Sequence, residues 1–330
     1  MGRDLVERHP AGGGPARPVL KWAGGKRQLL PQIRRFYPAR FRTYFEPFVG
    51  SGAVFFDLHN RGHLAGRQAV LADRNPDLVG CLTAVRDHPE PVIEHLGRLA
   101  AERAADPRAH YYAVRDERFN PLRERLARQA GGLSPERYTP ELAAMLIYLN
   151  RTGYNGLFRL NGKGSFNVPF GRYANPTICD ARSLRRAARA LSGCQAGLLH
   201  RDFERVLDEA QAGDFVYLDP PYAPLSRTAT FTTYTAGGFG EHHQERLQQV
   251  VVELARRGCL VLLSNSTAPI ISRLYDGNAE AARAGLRACR VPARRAINSD
   301  AASRGPVEEY LITNIPESSE GLPASRALSA

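Results

Sequence analysis

The chain has 330 residues, 43% of them hydrophobic, enough for one large domain or for a domain carrying an inserted second one. No apolar run approaches the roughly 20 residues of a membrane span, the N-terminus lacks a signal-peptide core, and the five cysteines are scattered without a C-x-x-C pair. These features argue against a membrane protein, a disulfide framework and a zinc ribbon, and for a reducing, cytoplasmic setting; the net charge of +12 asks for a polyanionic partner, nucleic acid first.

Of the 45 basic residues three are lysines, Lys21, Lys26 and Lys163. Arginine serves almost everywhere else, so a lysine marks a place where a compact ammonium suits better than a planar fork. All three lie inside motifs. The first, "LKWAGGKRQLLPQI" (20–33), follows a Gly/Pro-rich tail over residues 1–16 and holds the single tryptophan, Trp22, beside Gly24-Gly25. An aromatic face near a charged ligand, with an ammonium near a carboxylate, suits S-adenosylmethionine. The bland alternative is a strand and glycine turn before a helix.

"YFEPFVGSGAVFF" (44–56) reads as a short strand opening through Gly50 and Gly52 into a helix. "QAVLADRNPDL" (68–78) is a second strand, ending at Asp73, 23 residues after Gly50, close to the spacing at which a carboxylate accepts ribose hydroxyls. The full G-x-G-x-x-G is missing, which favours a nucleoside cofactor over a dinucleotide. Alone, the turn fits a packed core equally well. Strands ending at Asp202 and Asp219, and a fifth over 259–266, alternate with helices over 180–192 and 241–257, whose caps are expected at Gly193 and Gly258. Such alternation predicts a parallel α/β sheet, with ligands beyond the carboxyl ends of its strands. Two extended segments near the C-terminus predict a terminal hairpin, and the stretch 317–330 reads as a second tail.

Between 77 and 179 the character changes. Arg/Glu-rich helices and an apolar helix, "PELAAMLIYLN", lead to "RTGYNGLFRLNGKGSFNVPFGRY", read as a β-hairpin turning at Asn161-Gly162-Lys163-Gly164. The expected division is a sheet domain over 17–76 and 180–316, with 77–179 inserted as a target-recognition domain. Cations and aromatics interleave along this hairpin, as suits phosphates, base edges and a disturbed base stack, although any single aromatic there also fits a half-buried face. The loop 292–305 is charged enough to touch phosphates. His242-His243 reads as an exposed helix start and not as a metal site; no metal site is expected elsewhere.

The most telling stretch is "VYLDPPYAPLSRTATFT" (216–232), where a buried strand ends in Asp219 and two prolines follow. The exocyclic amine of adenine is a weak nucleophile because its lone pair is delocalised into the ring. Two fixed acceptors, the Asp219 carboxylate and the Pro220 carbonyl, would draw the N–H bonds aside and turn the lone pair toward a methyl donor. Pro220 and Pro221 fix φ and keep the turn's shape. Tyr222 offers a ring on which a flipped base can stack. A reactive sulfonium donor makes a metal unnecessary. The Ser/Thr/Gly-rich stretch 224–240 reads as a loop closing over the flipped base.

"KWAGGK", "FEPFVGSG", "ADRNPDL", "RTGYNGLFRLNGKGSFNVPFGRY" and "DPPYAPLSRTATF", in that order, resemble the DNA adenine-N6 methyltransferases of the Dam type, over about Pro18 to Ile315. The resemblance implies a Rossmann-like methyltransferase sheet with an inserted, mostly helical recognition domain. It implies S-adenosylmethionine bound by Trp22, Lys26, Phe48, Gly50, Asp73, Asp202 and Asp219. Catalysis falls to Asp219, Pro220, Pro221 and Tyr222. DNA contacts fall to Lys21, Tyr154, Asn155, Leu157, Arg159, Pro169, Arg172 and Tyr173, with Leu157 and Arg159 as base readers. It further implies double-stranded DNA as substrate, GATC as target and base flipping; a monomer in solution is expected. Rival readings are a methyltransferase acting on RNA adenine or a protein amide, and a DNA-binding regulator without catalysis; the basic hairpin speaks against the first and the intact Asp219–Tyr222 turn against the second.

Overall fold

The computed structural model describes residues 14–129, 131–225, 238–294 and 306–317. Most of both tails, of the stretch 224–240 and of the charged loop 292–305 lies outside the described residues. The strands are β1 (Tyr44–Glu46), β2 (Ala69–Asp73), β3 (Gly197–His200), β4 (Phe215–Leu218), β5 (Leu260–Ser266), β6 (Arg287–Arg294) and β7 (Pro306–Thr313). The helices are α1 (Leu30–Ile33), α2 (Ala53–Asn60), α3 (Pro76–Asp87), α4 (Pro89–Glu102), α5 (Pro107–Tyr112), α6 (Asn120–Gln129), α7 (Pro140–Thr152), α8 (Ala181–Gly193), α9 (Glu241–Arg256), α10 (Pro269–Tyr275) and α11 (Ala279–Arg283). The fold is mixed α/β. Helices α3, α4, α5, α7 and α10 open on proline, whose missing N–H costs nothing in a first turn.

The chain divides into two compact units. Among the described residues the first comprises 14–25 and 48–203. Its strands β2 and β3 pair in parallel from Val70↔Gly197 to Asp73↔His200. The apolar α7 is its centre, with every residue from Leu142 to Leu149 buried, and α3 and α4 pack on it. Residues 77–179 therefore share a unit with β2 and β3. Asn75 caps α3 by accepting from the N–H groups of Asp77 and Leu78, and Thr139 caps α7 by accepting from Leu142.

The second unit comprises the described residues among 26–47, 204–225 and 238–317. Here β1, β4 and β5 run parallel, with Phe215 opposite both Tyr44 and Leu260. All four residues of β4 are buried, as expected of a parallel strand covered on both faces. The terminal hairpin is present, and β7 lies between β5 and β6, antiparallel to each.

Two local expectations need correction. Helix α8 runs through Gly193, and the left-handed position falls on Gln195 (φ 46°). The expected cap at Gly258 (φ 83°) is in place. The 151–173 segment folds back on itself but forms no continuous ladder, only the isolated antiparallel bridges Gly153↔Phe170 and Leu160↔Phe166. The backbone groups of its second limb alternate: those of Ser165, Asn167, Pro169 and Gly171 bond the first limb, and those of Phe166 and Val168 bond helix side chains. Asn120 donates to the Phe166 carbonyl and accepts from the Phe166 N–H, at 3.0 and 2.9 Å. Tyr111 and Arg115 both donate to the Val168 carbonyl.

Candidate active site and nucleic-acid face

In the second unit, buried β4 carries the chain out of the sheet at Asp219, whose side chain is 19% exposed. Lys26 Nζ lies 2.7 Å from Asp219 Oδ1, and the Ser264 hydroxyl donates to that same oxygen at 3.1 Å. Burial pushes the Asp219 carboxyl above the usual carboxylate range, while the Lys26 charge and the two hydrogen bonds oppose the rise. Lys26 also sits 4.4 Å above the centre of the Tyr222 ring. The Tyr222 hydroxyl donates to Glu309 at 2.8 Å. Burial, with the Asp219 and Glu309 charges, holds that phenol well above its ordinary value.

The end of β5 holds the turn in place. Asn265 Oδ1 accepts from the Ala223 N–H at 3.3 Å, and the Ser266 hydroxyl donates to the Ala223 carbonyl at 2.6 Å. Asn265 Nδ2 donates to Gln244 Oε1, and Gln244 Nε2 donates to the Pro221 carbonyl, each at 3.0 Å. Ser264, Asn265, Ser266 and Gln244 are all buried. Sequence reasoning missed these four. The signal available was "SNS", three polar residues closing an apolar strand whose neighbour ends in Asp-Pro-Pro-Tyr. Glu309, on β7, gave no signal at all.

In the first unit, Asp73 closes β2. Its Oδ2 accepts from the Gly50 N–H at 3.1 Å and its Oδ1 from the Asn75 N–H at 3.0 Å. Burial raises this carboxyl, against those two backbone donors. Gly50 is in the left-handed region (φ 48°), and a Cβ there would stand 3.1 Å from Trp22 Cδ1. Trp22 stacks on Phe158 at 5.6 Å between centroids, and Phe48 on Phe203 at 5.2 Å. Asp202 Oδ2 is 3.6 Å from Arg74 Nε. The structure thus gathers Trp22, Gly50 and Asp73 in this unit, and Lys26 and Asp219 in the other.

The residues expected at DNA share the first unit. Asn150 ties the Lys21 backbone down, accepting from its N–H and donating to its carbonyl, each at 2.8 Å. The same amide group donates to the Gly156 carbonyl at 2.8 Å. Lys21 Nζ lies 4.4 Å above the Tyr173 ring; burial and the Arg151 charge push its pKa down. Tyr154 is 52% exposed, an unusual position for so large a ring. Asn155 beside it is left-handed (φ 53°). Arg159, Pro169 and Arg172 are exposed, and Leu157 is half-buried. Arg159 Nε donates to Asn167 Oδ1 at 2.7 Å, and its Nη2 to the Asn167 carbonyl at 3.3 Å. Asn150 and Asn167 had no mark in the sequence beyond their place in the motif. Among the described residues no group of acids, histidines and cysteines could hold a metal ion, and no helix is long and apolar enough to cross a membrane. His242 is exposed at the start of α9.

In the first unit, a glycine turn beside a tryptophan and bonded to a strand-end aspartate, on an α/β fold, suits a nucleoside-dependent transferase. Residues 22–288 match the D12 class N6 adenine-specific DNA methyltransferase family, and the chain belongs to it. Among its relatives, the type II methyltransferase M1.LlaDCHI of Lactococcus lactis subsp. cremoris is 38% identical over 90% of this chain and 95% of that protein. The type II methyltransferase M.MjaIII of Methanocaldococcus jannaschii is 36% identical, covering 90% and 99%. The DNA adenine methylase of Escherichia coli is 34% identical, covering 89% and 94%. The protein is an adenine-specific DNA methyltransferase, with S-adenosylmethionine as methyl donor.

Proposed function

We propose that the enzyme flips an adenine out of duplex GATC and methylates its N6, working as a monomer in the cytoplasm. The observation that carries the chemistry is the double anchoring of Asp219 Oδ1 by Lys26 and Ser264. Both donors take one oxygen, so Oδ2 is left to accept from the target amine. The second acceptor is the carbonyl of Pro220, while the Pro221 carbonyl already accepts from Gln244. The amine nitrogen then pyramidalises and presents its lone pair. Tyr222, its ring held by Lys26 and its hydroxyl by Glu309, supplies the stacking platform. The prolines and the β5 side chains keep these groups from shifting, so little reorganisation accompanies the reaction.

The residues fit the cofactor. Each oxygen of the Asp73 carboxylate accepts from one backbone N–H, and its remaining lone pairs are offered to ribose hydroxyls. Gly50 leaves bare backbone beside the Trp22 indole, and Phe48 and Asp202 complete the set. Bound S-adenosylmethionine supplies a sulfonium-activated methyl group. The relatives named DNA adenine methylase support adenine in DNA as the target; GATC is the target that the sequence resemblance implies, with Arg159 and Leu157 of the hairpin as its readers. Lys21, Tyr154, Asn155, Pro169, Arg172 and Tyr173 complete its DNA face.

Sequencing modified bases in duplex DNA incubated with the protein and S-adenosylmethionine tests this directly. N6-methyladenine within GATC is expected. Methyl transfer confined to RNA would overturn the substrate, and modification centred on another sequence would overturn GATC while leaving the clamp intact.

A further inference from the structure

Helix α6 lies outside the residues just assigned, yet it carries a side chain that grips the recognition hairpin. Arg123 is 13% exposed and faces Asp77, which is completely buried. Its Nε donates to Asp77 Oδ1 at 2.8 Å and its Nη2 to Oδ2 at 2.9 Å, a fork-on-fork pair. The remaining nitrogen, Nη1, donates to the carbonyl of Gly164 at 2.6 Å. Gly164 closes the hairpin turn, its N–H donating to the Asn161 carbonyl at 2.8 Å. Asp77 in turn is fixed at its base. It sits in the first turn of α3, its N–H bonded to Asn75, and the Asn75 N–H is bonded to Asp73. One guanidinium therefore ties the turn of the hairpin to the corner where β2 becomes α3.

We propose that Arg123 is a positioning residue for sequence reading, holding the hairpin turn at the height from which Arg159 and Leu157 reach the bases. This rests on the assignment of that hairpin as the DNA reader. The physical case is one of shared anchoring. The hairpin's limbs share scattered backbone bonds and two isolated bridges but no continuous ladder, so its placement also depends on what holds its outer limb. The helical segment 111–123 meets successive inward positions of that limb, Arg123 at Gly164, Asn120 at Phe166, and Tyr111 with Arg115 at Val168. Of these supports, Arg123 alone acts at the turn and alone ends on a buried charge. A base reader displaced by a fraction of an ångström loses the in-plane geometry that a bidentate contact needs, whereas a phosphate contact tolerates such a shift.

The test separates this role from simple stabilisation. In Arg123→Lys the charge opposite Asp77 remains, but an ammonium without a planar fork cannot span both the carboxylate and the Gly164 carbonyl. The target site is first mapped with the wild-type enzyme; kcat/KM is then measured on that site and on duplexes altered at one base pair. Arg123→Lys is expected to keep its cofactor affinity while its preference for the mapped site falls about fivefold or more. The double variant Asp77→Asn/Arg123→Gln, which removes both buried charges together, is expected to lose the same preference. If either variant folds, binds cofactor and discriminates as well as wild type, Arg123 is structural ballast and the proposal is wrong. A wild-type enzyme with no sequence preference would instead overturn the reading of the hairpin itself, and this role with it.

Discussion

Lys26 and Asp219 form an ion pair of 2.7 Å at the carboxyl end of β4. In the proposed mechanism this pair governs the protonation of the Asp-Pro-Pro-Tyr turn. Burial raises the Asp219 carboxyl, and Lys26 is the largest force holding it down. Only the ionised carboxylate accepts from the target amine, so the acid limb of kcat/KM reports this group. Replacing Lys26 by Met removes a lowering influence, so the folded pKa climbs further and activity is lost at a higher pH. The same variant should be less stable at neutral pH. A carboxyl raised in the folded state binds more protons than in the unfolded chain, and its contribution to stability declines as pH rises from the ordinary carboxylate value through the raised one. A pH–kcat/KM profile of Lys26→Met with an unmoved acid limb would contradict the coupling.

Asp219→Ala removes the acceptor itself. The loss of one preorganised partner in the transition state corresponds to about 10²–10³ in kcat, and the clamp has no substitute for Oδ2. DNA affinity, which the proposal assigns to residues of the other unit, should stay close to wild type. Single-turnover methylation within tenfold of wild type would count against the assignment.

Ser264→Ala tests the anchoring from β5. The Ser264 hydroxyl bonds both Asp219 and, at 3.1 Å, the buried hydroxyl of Tyr217. Its loss strands the Tyr217 group, at a cost of about 1–3 kcal/mol in unfolding free energy. It also removes one of the bonds that hold the Asp219 carboxyl down, so the acid limb should move upward in this variant as well. Denaturant melts and the pH profile read the two effects separately, and a stability loss without any change in kcat would reduce Ser264 to a packing role.

The proposed catalytic turn and the bonded glycine–aspartate pair stood out in the sequence as residue types at short spacing: Asp-Pro-Pro-Tyr after an apolar strand, Gly-x-Gly at a strand end. The α/β alternation was legible from the same strands. The supports were not. Ser264, Gln244 and Glu309 reach Asp219, Pro221 and Tyr222 from elements distant in sequence, and a lone serine or glutamine carries no periodic signal. The hairpin's bridges were equally opaque. Turn residues at Asn161 to Gly164 announced the reversal, but nothing local showed that helix side chains would take the alternate backbone groups of the second limb. Gly193 misled for a related reason, since the helix end depends on where Gln195 takes the left-handed turn.

Gly50→Ala probes the cofactor turn. A side chain at φ 48° is strained, and its Cβ would press on Trp22 at 3.1 Å. The indole must shift, and the N–H that orients Asp73 moves with the backbone. The expected result is weaker S-adenosylmethionine binding, by about tenfold, for a strain near 1–3 kcal/mol. Calorimetric titration of cofactor in the absence of DNA measures it, and an unchanged affinity would place the cofactor elsewhere.

The proposed reading of DNA turns on Arg159. In the protein alone its Nε and Nη2 are bonded to Asn167, which fixes the plane of the guanidinium and leaves the Nη1–Nη2 edge to face a base. A guanine presents O6 and N7 at the spacing of that edge, and such a bidentate pair is worth roughly 1–3 kcal/mol, or about ten- to a hundred-fold in discrimination. Arg159→Ala should therefore narrow the gap between the target and sites altered at one outer base pair, with cofactor affinity unchanged. Asn167→Ala should do the same more weakly, because the fork survives but its plane is released. A phosphate contact behaves differently: its loss weakens every sequence alike and lowers the slope of affinity against salt. Equal losses on cognate and altered duplexes in Arg159→Ala, with a shallower salt dependence, would make Arg159 a backbone anchor and pass the reading role to Leu157 and its neighbours on the hairpin.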